Sequence, residues 1–376
     1  MRCLALLLLT ALPWTQAAWA QPAPSLRLEL AGPETPALLD APACGGRDLP
    51  DAPARAVRVH SEVWLFATDP VNRVNAGPDL LHLRHRCAVV FEGAGNDDPA
   101  AFDDQTWITS VWTPDGRTVF AVLHNEFQGH RRPALCPTGR YMDCWHNTLT
   151  AAVSEGGPFR RLPGTVAVLP YRFGEAGLGH KGYFNPSNIV THEGGQFMFA
   201  FATQAGAQAP GNCLLRTTRI ADPAAWRAWG GDRFTVTFAD PYAGPVTPER
   251  HVCTPVGAGS LRWPVMSLVR HAATGTFLAV MHDAARGGGV WYATSPDLLH
   301  WSAPAALMPG AGPGGFQCGD PPPLFYPSLL DPGSPDRNFE TVGSTGHLFA
   351  TRFGVTNCRP GPERTLVRWF VRILAP

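Results

Sequence analysis

The chain has 376 residues, and its 30 Lys and Arg balance its 30 Asp and Glu, so the formal net charge is zero. Charged residues make up only 16% of the sequence, and this low, balanced charge excludes a basic surface for nucleic acid. The 39 glycines and 38 prolines predict many tight turns between short strands.

The first residues predict a secretory signal peptide over residues 1–20. Met1-Arg2 precedes an apolar run from Leu4 to Leu12, and Ala18-Trp19-Ala20 supplies the small residues of a cleavage site. This run is shorter than the roughly 18 apolar residues of a membrane span. We therefore expect a secreted or periplasmic protein that has no membrane association after cleavage.

The cysteines that follow the signal peptide agree with export. An even number of cysteines in an exported chain predicts disulfides. We expect sequential neighbours to pair, most clearly Cys136 with Cys144, because that loop closes locally. A metal cluster is the alternative, but no Cys-x-x-Cys spacing supports it. The eight residues are Cys44, Cys87, Cys136, Cys144, Cys213, Cys253, Cys318 and Cys358.

A unit of two apolar strands recurs five times along residues 21–376. In four copies the two parts begin 12 residues apart, and the fifth copy has a longer spacer. Such a repeat with polar turns predicts an all-β fold, a five-bladed β-propeller in a single domain. The first strands open near Asp51, Trp107, Asn185, Val265 and Tyr326, and the second strands near Val63, Val119, Phe197, Phe277 and Leu348. The predicted blades cover about 48–92, 103–169, 182–238, 264–307 and 325 to the end.

Strands at the two ends of the mature chain suggest how the ring closes. Leu26–Leu30 alternates apolar and polar residues, as an edge strand does, and Thr365–Leu374 is a second strand. Pairing these two would complete the last blade and remove an exposed strand edge. Helix signals are weak, and we expect only one short turn after Asp222, with Pro223 at its first position.

The repeat also predicts which residues meet around the central funnel. The start of each first strand and the end of each antiparallel second strand lie on the same face of the ring. The strand starts contribute Asp51, Asn185 and Tyr326. The strand ends contribute Asp69, His124-Asn125-Glu126, His282-Asp283 and Arg352.

Two carboxylates in this set favour glycosidic-bond hydrolysis, which needs one carboxyl as proton donor and a second as base or nucleophile. Asp51 is the candidate base or nucleophile, and the alternative is an Asp of an ordinary turn. Glu126 is the candidate proton donor because Glu is uncommon in turns and His124 and Asn125 flank it. The alternative is a solvated loop Glu.

Further residues are candidates for substrate binding. Besides His124 and Asn125, we expect Lys181, Tyr183, Asn185, Asp283, Tyr326 and Arg352 to contact the substrate or orient the carboxyls. Lys181 and Tyr183 suit a sugar hydroxyl or an anionic group, and Arg352 suits pairing with a funnel carboxylate. The alternatives are a glycine-bracketed turn around Lys181, a strand cap at Asp283 and a surface position for Arg352.

No cofactor is expected from the sequence. The histidines are scattered without metal-ligand spacing, and the chain has no phosphate loop, dinucleotide fingerprint or Gly-x-Ser-x-Gly elbow. A single cation such as Ca²⁺ in the central channel is left open. The expected partner is an oligo- or polysaccharide.

Several short motifs resemble the five-bladed glycoside hydrolases of family 43, the arabinanase, xylosidase and invertase type. Asp51–Arg58 followed by Trp64–Ala67 is similar to the family's opening strands. Asn185-Pro186-Ser187 and Tyr326-Pro327-Ser328 repeat that opening, and Ala293–Ser302 resembles the turn after a third strand. The resemblance implies a catalytic base at Asp51.

The sequence departs from the family at two positions. Asn185 stands where the family usually has an Asp that tunes the acid, and the family's acid comes from a later blade than Glu126. Glu175, Glu249 and Asp283 are therefore the fallback candidates for the acid. Two hypotheses result: a secreted glycoside hydrolase, or a non-catalytic propeller that binds glycans or a protein partner.

Overall fold

The computed structural model describes residues 22–40, 44–45 and 48–375, and the predicted signal peptide lies outside them. Within these ranges the regular elements are β-strands and six single 3-10 turns, so the all-β prediction is confirmed. None of these helical turns is long and apolar enough to cross a membrane. The turns are Pro99–Ala101, Gly129–Arg131, Tyr141–Asp143, Pro223–Ala225, Pro248–Arg250 and Pro313–Gly315. The expected turn at Pro223 is thus present, and the Asp222 side chain caps it.

The strands fall into five consecutive groups, which follow three short N-terminal strands, β1 (Arg27–Leu30), β2 (Thr35–Pro36) and β3 (Leu38–Asp40). The first group is β4 (Arg55–Val59), β5 (Glu62–Phe66), β6 (Val71–Gly77) and β7 (Leu83–Glu92). The second is β8 (Gln105–Trp112), β9 (Val119–Gln128), β10 (Cys144–Ser154) and β11 (Arg160–Arg161). The third is β12 (Gly179–Phe184), β13 (Val190–His192), β14 (Gly195–Ala202), β15 (Gly211–Thr217), β16 (Arg227–Trp229) and β17 (Phe234–Val236).

The fourth group is β18 (Val265–His271), β19 (Phe277–Asp283), β20 (Gly289–Ser295) and β21 (Ala305–Pro309). The two-residue strand β23 (Thr341–Val342) pairs in parallel with β18 of the fourth group, and the fifth group is β22 (Leu324–Leu330), β24 (Thr345–Thr356) and β25 (Arg359–Leu374). The main strands of each group pair antiparallel in chain order. The second and third groups merge into one ten-stranded sheet because β10 and β12 pair in parallel, from Cys144 with Gly179 to Asn147 with Gly182.

Five hydrophobic cores lie between neighbouring groups. Val57 of the first group packs in one core with Ile108 of the second. The second and third groups share another core, the third and fourth a third core, and the fourth and fifth a fourth. The fifth core joins Phe349 of the last group to Leu65 of the first. The groups therefore form a closed ring in which each interface buries its own apolar side chains.

Strand pairing between the two ends of the chain closes the last sheet. β1 pairs antiparallel with β25, from Arg27 with Leu374 to Leu30 with Val371. The predicted closure is therefore confirmed. It covers the edge of the long C-terminal strand, which would otherwise be open to intermolecular pairing.

The long spacer of the fifth repeat crosses the ring on one side. We call residues 331–343 the strap. Its Arg337 carbonyl accepts from Arg58 N at 2.7 Å, and Asn338 Oδ1 accepts from Thr113 N at 2.7 Å. Glu340 accepts from the Thr191 hydroxyl at 3.1 Å. The strap thus bonds to the first, second and third groups.

One buried arginine joins the innermost strands of all five groups. Arg55 is 0% exposed, and the N–H groups of its guanidinium donate to neutral oxygens. Burial lowers the pKa of Arg55 to about 9, which still leaves it charged at neutral pH. The acceptors are Ala54 O at 3.1 Å, Thr109 O at 2.8 Å, Pro186 O at 2.9 Å, Met266 O at 2.6 Å and Ser328 Oγ at 3.0 Å.

The eight cysteines form four disulfides, and each joins sequential neighbours as predicted. The pairs are Cys44–Cys87, Cys136–Cys144, Cys213–Cys253 and Cys318–Cys358. The locally closed Cys136–Cys144 loop is therefore confirmed.

Replacing Arg55 with methionine should destabilise the whole ring. The substitution leaves buried carbonyl oxygens without a donor, and each such oxygen costs about 1–3 kcal/mol. We expect Arg55→Met to lower the free energy of unfolding by at least about 3 kcal/mol, measured by urea denaturation. The control is Arg117→Met, which changes an exposed arginine. Equal midpoints for the two variants would contradict the role given to Arg55.

Candidate active site

A cavity of about 630 Å³ opens on the ring axis and is lined by residues of all five groups. Its volume lies in the range of small-ligand sites. Met266 and Thr109, whose carbonyls bond to Arg55, belong to its lining. The central guanidinium therefore lies directly behind this part of the cavity wall.

Alternation along β9 decides which of its polar residues face the cavity. His124, Glu126 and Gln128 line it, as every second residue of a strand must. Asn125 faces the other way, is 1% exposed, and donates to the Thr106 hydroxyl at 3.0 Å. Asn125, a predicted substrate-binding residue, therefore does not line this cavity but points into the sheet packing.

Asp51 lies at the cavity wall beside two donors. Arg364 forms an ion pair with Asp51 Oδ1, and the Tyr326 hydroxyl donates to the same oxygen at 3.1 Å. Both partners favour the ionised carboxylate. Burial, followed by the charge of Asp51, raises the pKa of Tyr326 well above its ordinary value, so this hydroxyl keeps its proton.

The environment of Glu126 differs from that of Asp51, because it favours the protonated carboxyl. It is 8% exposed, and its Oε2 accepts from Gln128 Nε2 at 3.2 Å. Burial raises the pKa of Glu126 to about 8; the bond from Gln128 opposes this shift, and the nearby charges of Asp51 and Asp104 add to it. At neutral pH, Glu126 is therefore mostly protonated while it shares a cavity with a carboxylate that is held ionised.

Two cavity residues have left-handed backbone conformations. Asn185 has a φ of 48° and Tyr326 a φ of 59°, and each precedes a proline. This conformation costs a non-glycine residue roughly 1–3 kcal/mol. Arg55 bonds to Pro186 O and Ser328 Oγ just after these residues, so the central guanidinium holds both strained turns in place.

A row of aromatic rings forms the wall between the second and third groups. Trp145 and His180 are register partners in β10 and β12, and their rings stack at 4.0 Å. Tyr141 continues the row on one side at 4.6 Å from Trp145, and Phe184 continues it on the other at 4.5 Å from His180. The sequence reasoning missed this wall, because it depends on a parallel pairing between separate repeats.

The histidines in the cavity lining are neutral at physiological pH. Burial lowers the pKa of His124 to about 3 and the pKa values of His180 and His282 to about 4. Asn147 donates to His124 Nε2. These rings therefore offer hydrogen bonding and apolar surface without positive charge.

Lys181 and Tyr183, which were predicted to contact the substrate, do not line this cavity. On β12 the residues that do line it are His180 and Phe184, and the alternate residues point to the other face of the strand, away from the cavity. Lys181 Nζ donates to Gln204 O at 2.8 Å. The Tyr183 hydroxyl donates to Gln208 Oε1 at 2.7 Å inside a hydrophobic core, where the residue is 0% exposed.

Arg352 was predicted to pair with a funnel carboxylate, and the structure places a different arginine there. Arg352 bonds to Glu34 and to Pro322 O instead. On the paired strand β25 the register partner of Arg352 is Thr365, and the residue before it, Arg364, contacts Asp51. The hairpin of β24 and β25 thus reaches the cavity with its second strand, which the repeat pattern alone did not indicate.

Of the remaining acidic candidates, one lines this cavity and the others lie outside it. Asp283 lines the cavity, and its Oδ1 also accepts from Ala285 N at 3.0 Å in the turn that follows. Glu175 and Glu249 lie outside the cavity lining, in surface segments. Asp69 lines a neighbouring cavity of about 420 Å³ rather than this one.

The ring axis already holds a positive charge. The guanidinium of Arg55 fills the place where a channel cation was left open in the sequence reasoning. Among the described residues, Cys44, Asp48 and His85 come close enough to share a metal ion. The Cys44 sulfur is bonded to Cys87, and His85 Nε2 lies 2.8 Å from Asp48 Oδ2, so this group is a hydrogen-bonded pair beside a disulfide.

Neither a protein-family model nor a curated protein matches the sequence. Among solved structures, an endo-1,5-α-L-arabinanase from Thermotoga petrophila RKU-1 is similar over 86% of this chain and 71% of its own, with a TM-score of 0.50 and 11% identity. An α-L-arabinanase from Cellvibrio cellulosa, complexed with arabinohexaose, is similar over 86% and 91%, with a TM-score of 0.49 and 12% identity. A GH43_1 enzyme from Xanthomonas citri, complexed with xylotriose, is similar over 89% of both chains, with a TM-score of 0.49 and 12% identity. At such identities the likeness concerns the fold alone, and the arabinanase with a TM-score of 0.50 shows it.

The raised pKa of Glu126 predicts how stability depends on pH. A carboxyl whose pKa rises from 4.5 to about 8 on folding stabilises the protein fully below pH 4.5, and this contribution is lost as pH rises through about 8. At 1.36 kcal/mol per pKa unit the loss has an upper limit of roughly 5 kcal/mol. Glu126→Gln should therefore gain stability over the unmodified protein between pH 5.5 and pH 9, measured by urea unfolding.

The control for this series is Glu175→Gln, which removes an exposed carboxylate outside the cavity. A stability difference between Glu126→Gln and the unmodified protein that stays constant from pH 5.5 to pH 9 would contradict the environment assigned to Glu126.

Proposed function

We propose that the chain is an exported glycoside hydrolase built as a single five-bladed β-propeller over residues 21–376. The five strand groups are the five blades, and the five cores between them support this count. Four disulfides among the described residues support export. The substrate is an oligo- or polysaccharide.

The observation that carries the proposal is the pair of carboxyls in one cavity with opposite environments. Asp51 has an arginine and a tyrosine hydroxyl as partners, whereas Glu126 is buried and its pKa is raised. Hydrolysis of a glycosidic bond needs one ionised and one protonated carboxyl. Two carboxyls with a purely structural role would not need environments that favour opposite protonation states.

Glu126 acts as the proton donor. Its proton passes to the glycosidic oxygen as the bond to the anomeric carbon breaks, so the leaving group departs as a neutral alcohol. Gln128, bonded to Oε2 at 3.2 Å, orients the carboxyl. A pKa of about 8 keeps the Glu126 carboxyl mostly protonated at neutral pH.

Asp51 supplies the ionised carboxylate. It either takes a proton from the attacking water or attacks the anomeric carbon itself, and both routes stabilise the positive charge that develops on the sugar. Tyr326 and Arg364 fix the orientation of Asp51. The stacked Trp145 and His180 rings offer an apolar face for the C–H side of a sugar ring.

A non-catalytic glycan-binding propeller is the second candidate function. Two observations favour it: Asn185 occupies the cavity position where family 43 enzymes usually have an Asp, and the ion pair with Arg364 lowers the reactivity of Asp51. The cavity and its aromatic wall would then hold the same glycan without cleaving it.

Leaving-group dependence tests the role of Glu126. A dinitrophenolate departs without protonation, so Glu126→Gln should retain activity within about tenfold on dinitrophenyl glycosides. It should lose roughly 10²–10⁴-fold in kcat/KM on the matching methyl or phenyl glycosides. The assay uses a panel of aryl glycosides that differ in the sugar. Equal losses on both kinds of leaving group would contradict the role as acid.

Asp51→Asn separates hydrolysis from binding. We expect a loss of roughly 10²–10⁴-fold on every substrate, whatever its leaving group, because the lost carboxylate acts at the anomeric carbon. Calorimetric titration of the variant with the oligosaccharide should still show binding. The control is Asp232→Asn, which removes an exposed carboxylate outside the cavity lining and should keep full activity. Full activity of Asp51→Asn would leave the binding module as the better account.

A further inference from the structure

Arg132 wraps around the end of the strand that carries Glu126. It follows the turn Gly129–Arg131, and its side chain is 12% exposed. The guanidinium lies 4.7 Å from the centre of the Phe127 ring, and Nη1 donates to Gln128 O at 3.2 Å. Arg132 therefore contacts both residues that follow Glu126.

The same arginine pairs with a buried aspartate. Arg132 Nη1 lies 2.6 Å from Asp104 Oδ2, and Asp104 is 2% exposed. The other contacts of the guanidinium are with Asp97 Oδ1 at 2.9 Å and Asn96 O at 3.0 Å. Because Asp97 is 88% exposed, the strongly buried half of this network is the pair of Arg132 and Asp104.

Asp104 connects this pair to the proposed acid. Its Oδ2 also accepts from Gln128 N at 2.9 Å, and the Gln128 side chain donates to Glu126 Oε2 at 3.2 Å. A continuous chain of contacts thus runs from Arg132 through Asp104 and Gln128 to Glu126. The chain fixes the backbone of Gln128 as well as the orientation of its amide.

We propose that Arg132 is a positioning residue which, through Asp104, sets the pH at which Glu126 gives up its proton. The proposal rests on the proposed function only in calling Glu126 the acid. It assigns a role to a charge pair outside the cavity lining, between the turn that follows β9 and the segment before β8.

The charges around Glu126 make the effect of Arg132 specific. Asp51 from the first group and Asp104 from the segment before β8 both act on Glu126 with negative charge. Tyr141 and Tyr326 approach from the second and fifth groups as neutral hydroxyls, and His124 on the same strand is neutral. Arg364 partners Asp51, and Arg132 partners Asp104. Each arginine therefore offsets one of the two charges that favour the protonated acid.

Two single substitutions should move the Glu126 titration in opposite directions. Arg132→Met removes the charge that offsets Asp104, so the midpoint should rise by about one pH unit. Asp104→Asn removes the negative charge and leaves Arg132 in place, so the midpoint should fall by about one pH unit. A merely structural role would not produce shifts of opposite sign.

The midpoint is measured without reference to catalysis. Urea unfolding from pH 5 to pH 10 is carried out on the full chain with each substitution, with and without Glu126→Gln, and the difference gives the Glu126 titration. Arg131→Met, which changes an exposed neighbouring arginine, is the matched control and should leave the midpoint unchanged. Arg132→Lys keeps the charge, so its midpoint should stay within a few tenths of a pH unit, and it serves if Arg132→Met does not fold.

Opposite shifts in the two variants support the proposal, whether or not the protein hydrolyses any glycoside. Shifts in the same direction, or no shift in either variant, overturn it even if hydrolysis through Glu126 is established. If Arg132→Met does not fold, a Lys variant that moves the midpoint by a whole unit overturns it, and a fall with Asp104→Asn together with an unmoved Lys variant supports it. The alkaline limb of the pH–rate profile should follow the same order where activity is measurable.

Discussion

The guanidinium of Arg55 is the interaction on which the arrangement of the ring depends. It is fully buried, and it donates to one oxygen from each of the five groups, that of its own group being the carbonyl of the neighbouring Ala54. A planar group with five N–H donors suits this position, because neutral carbonyls need donors and an ammonium would offer only three. The strap adds a second connection at residues 331–343, where it bonds to the first three groups.

The site follows from this central constraint. Arg55 holds the turns in which Asn185 and Tyr326 adopt left-handed conformations, and Tyr326 in turn orients Asp51. Glu126 belongs to a different part of the ring, and its environment comes from burial and from the contacts of Gln128. Two carboxyls therefore meet in one cavity while different elements control them, which allows their proton affinities to diverge.

Local pattern was sufficient to predict much of the fold. The 12-residue interval located the paired strands, and alternation at Leu26–Leu30 identified the strand that closes the last sheet. The same reasoning brought Asp51, Glu126, Asn185 and Tyr326 to one cavity. Strand starts and ends are fixed by local turn chemistry, so residues next to them can be placed from sequence.

The differences between prediction and structure have two physical origins. Asn125, Lys181 and Tyr183 are next to cavity residues in sequence, but alternation turns them to the other face. A shift of one residue in strand register moves a side chain from one face of the sheet to the other, and a sequence motif does not fix the register. The contact of Arg364 with Asp51 and the aromatic wall both join segments that are distant in sequence, which no local pattern encodes.

The central claim is that one cavity holds an ionised Asp51 and a protonated Glu126 at neutral pH. Infrared difference spectroscopy at pH 7 measures this directly, because a protonated carboxyl has a C=O stretch separate from the carboxylate bands. The account predicts a protonated-carboxyl band that disappears in Glu126→Gln and persists in Asp51→Asn. A spectrum in which Glu126→Gln removes no such band, or in which Asp51→Asn removes it, would contradict the account.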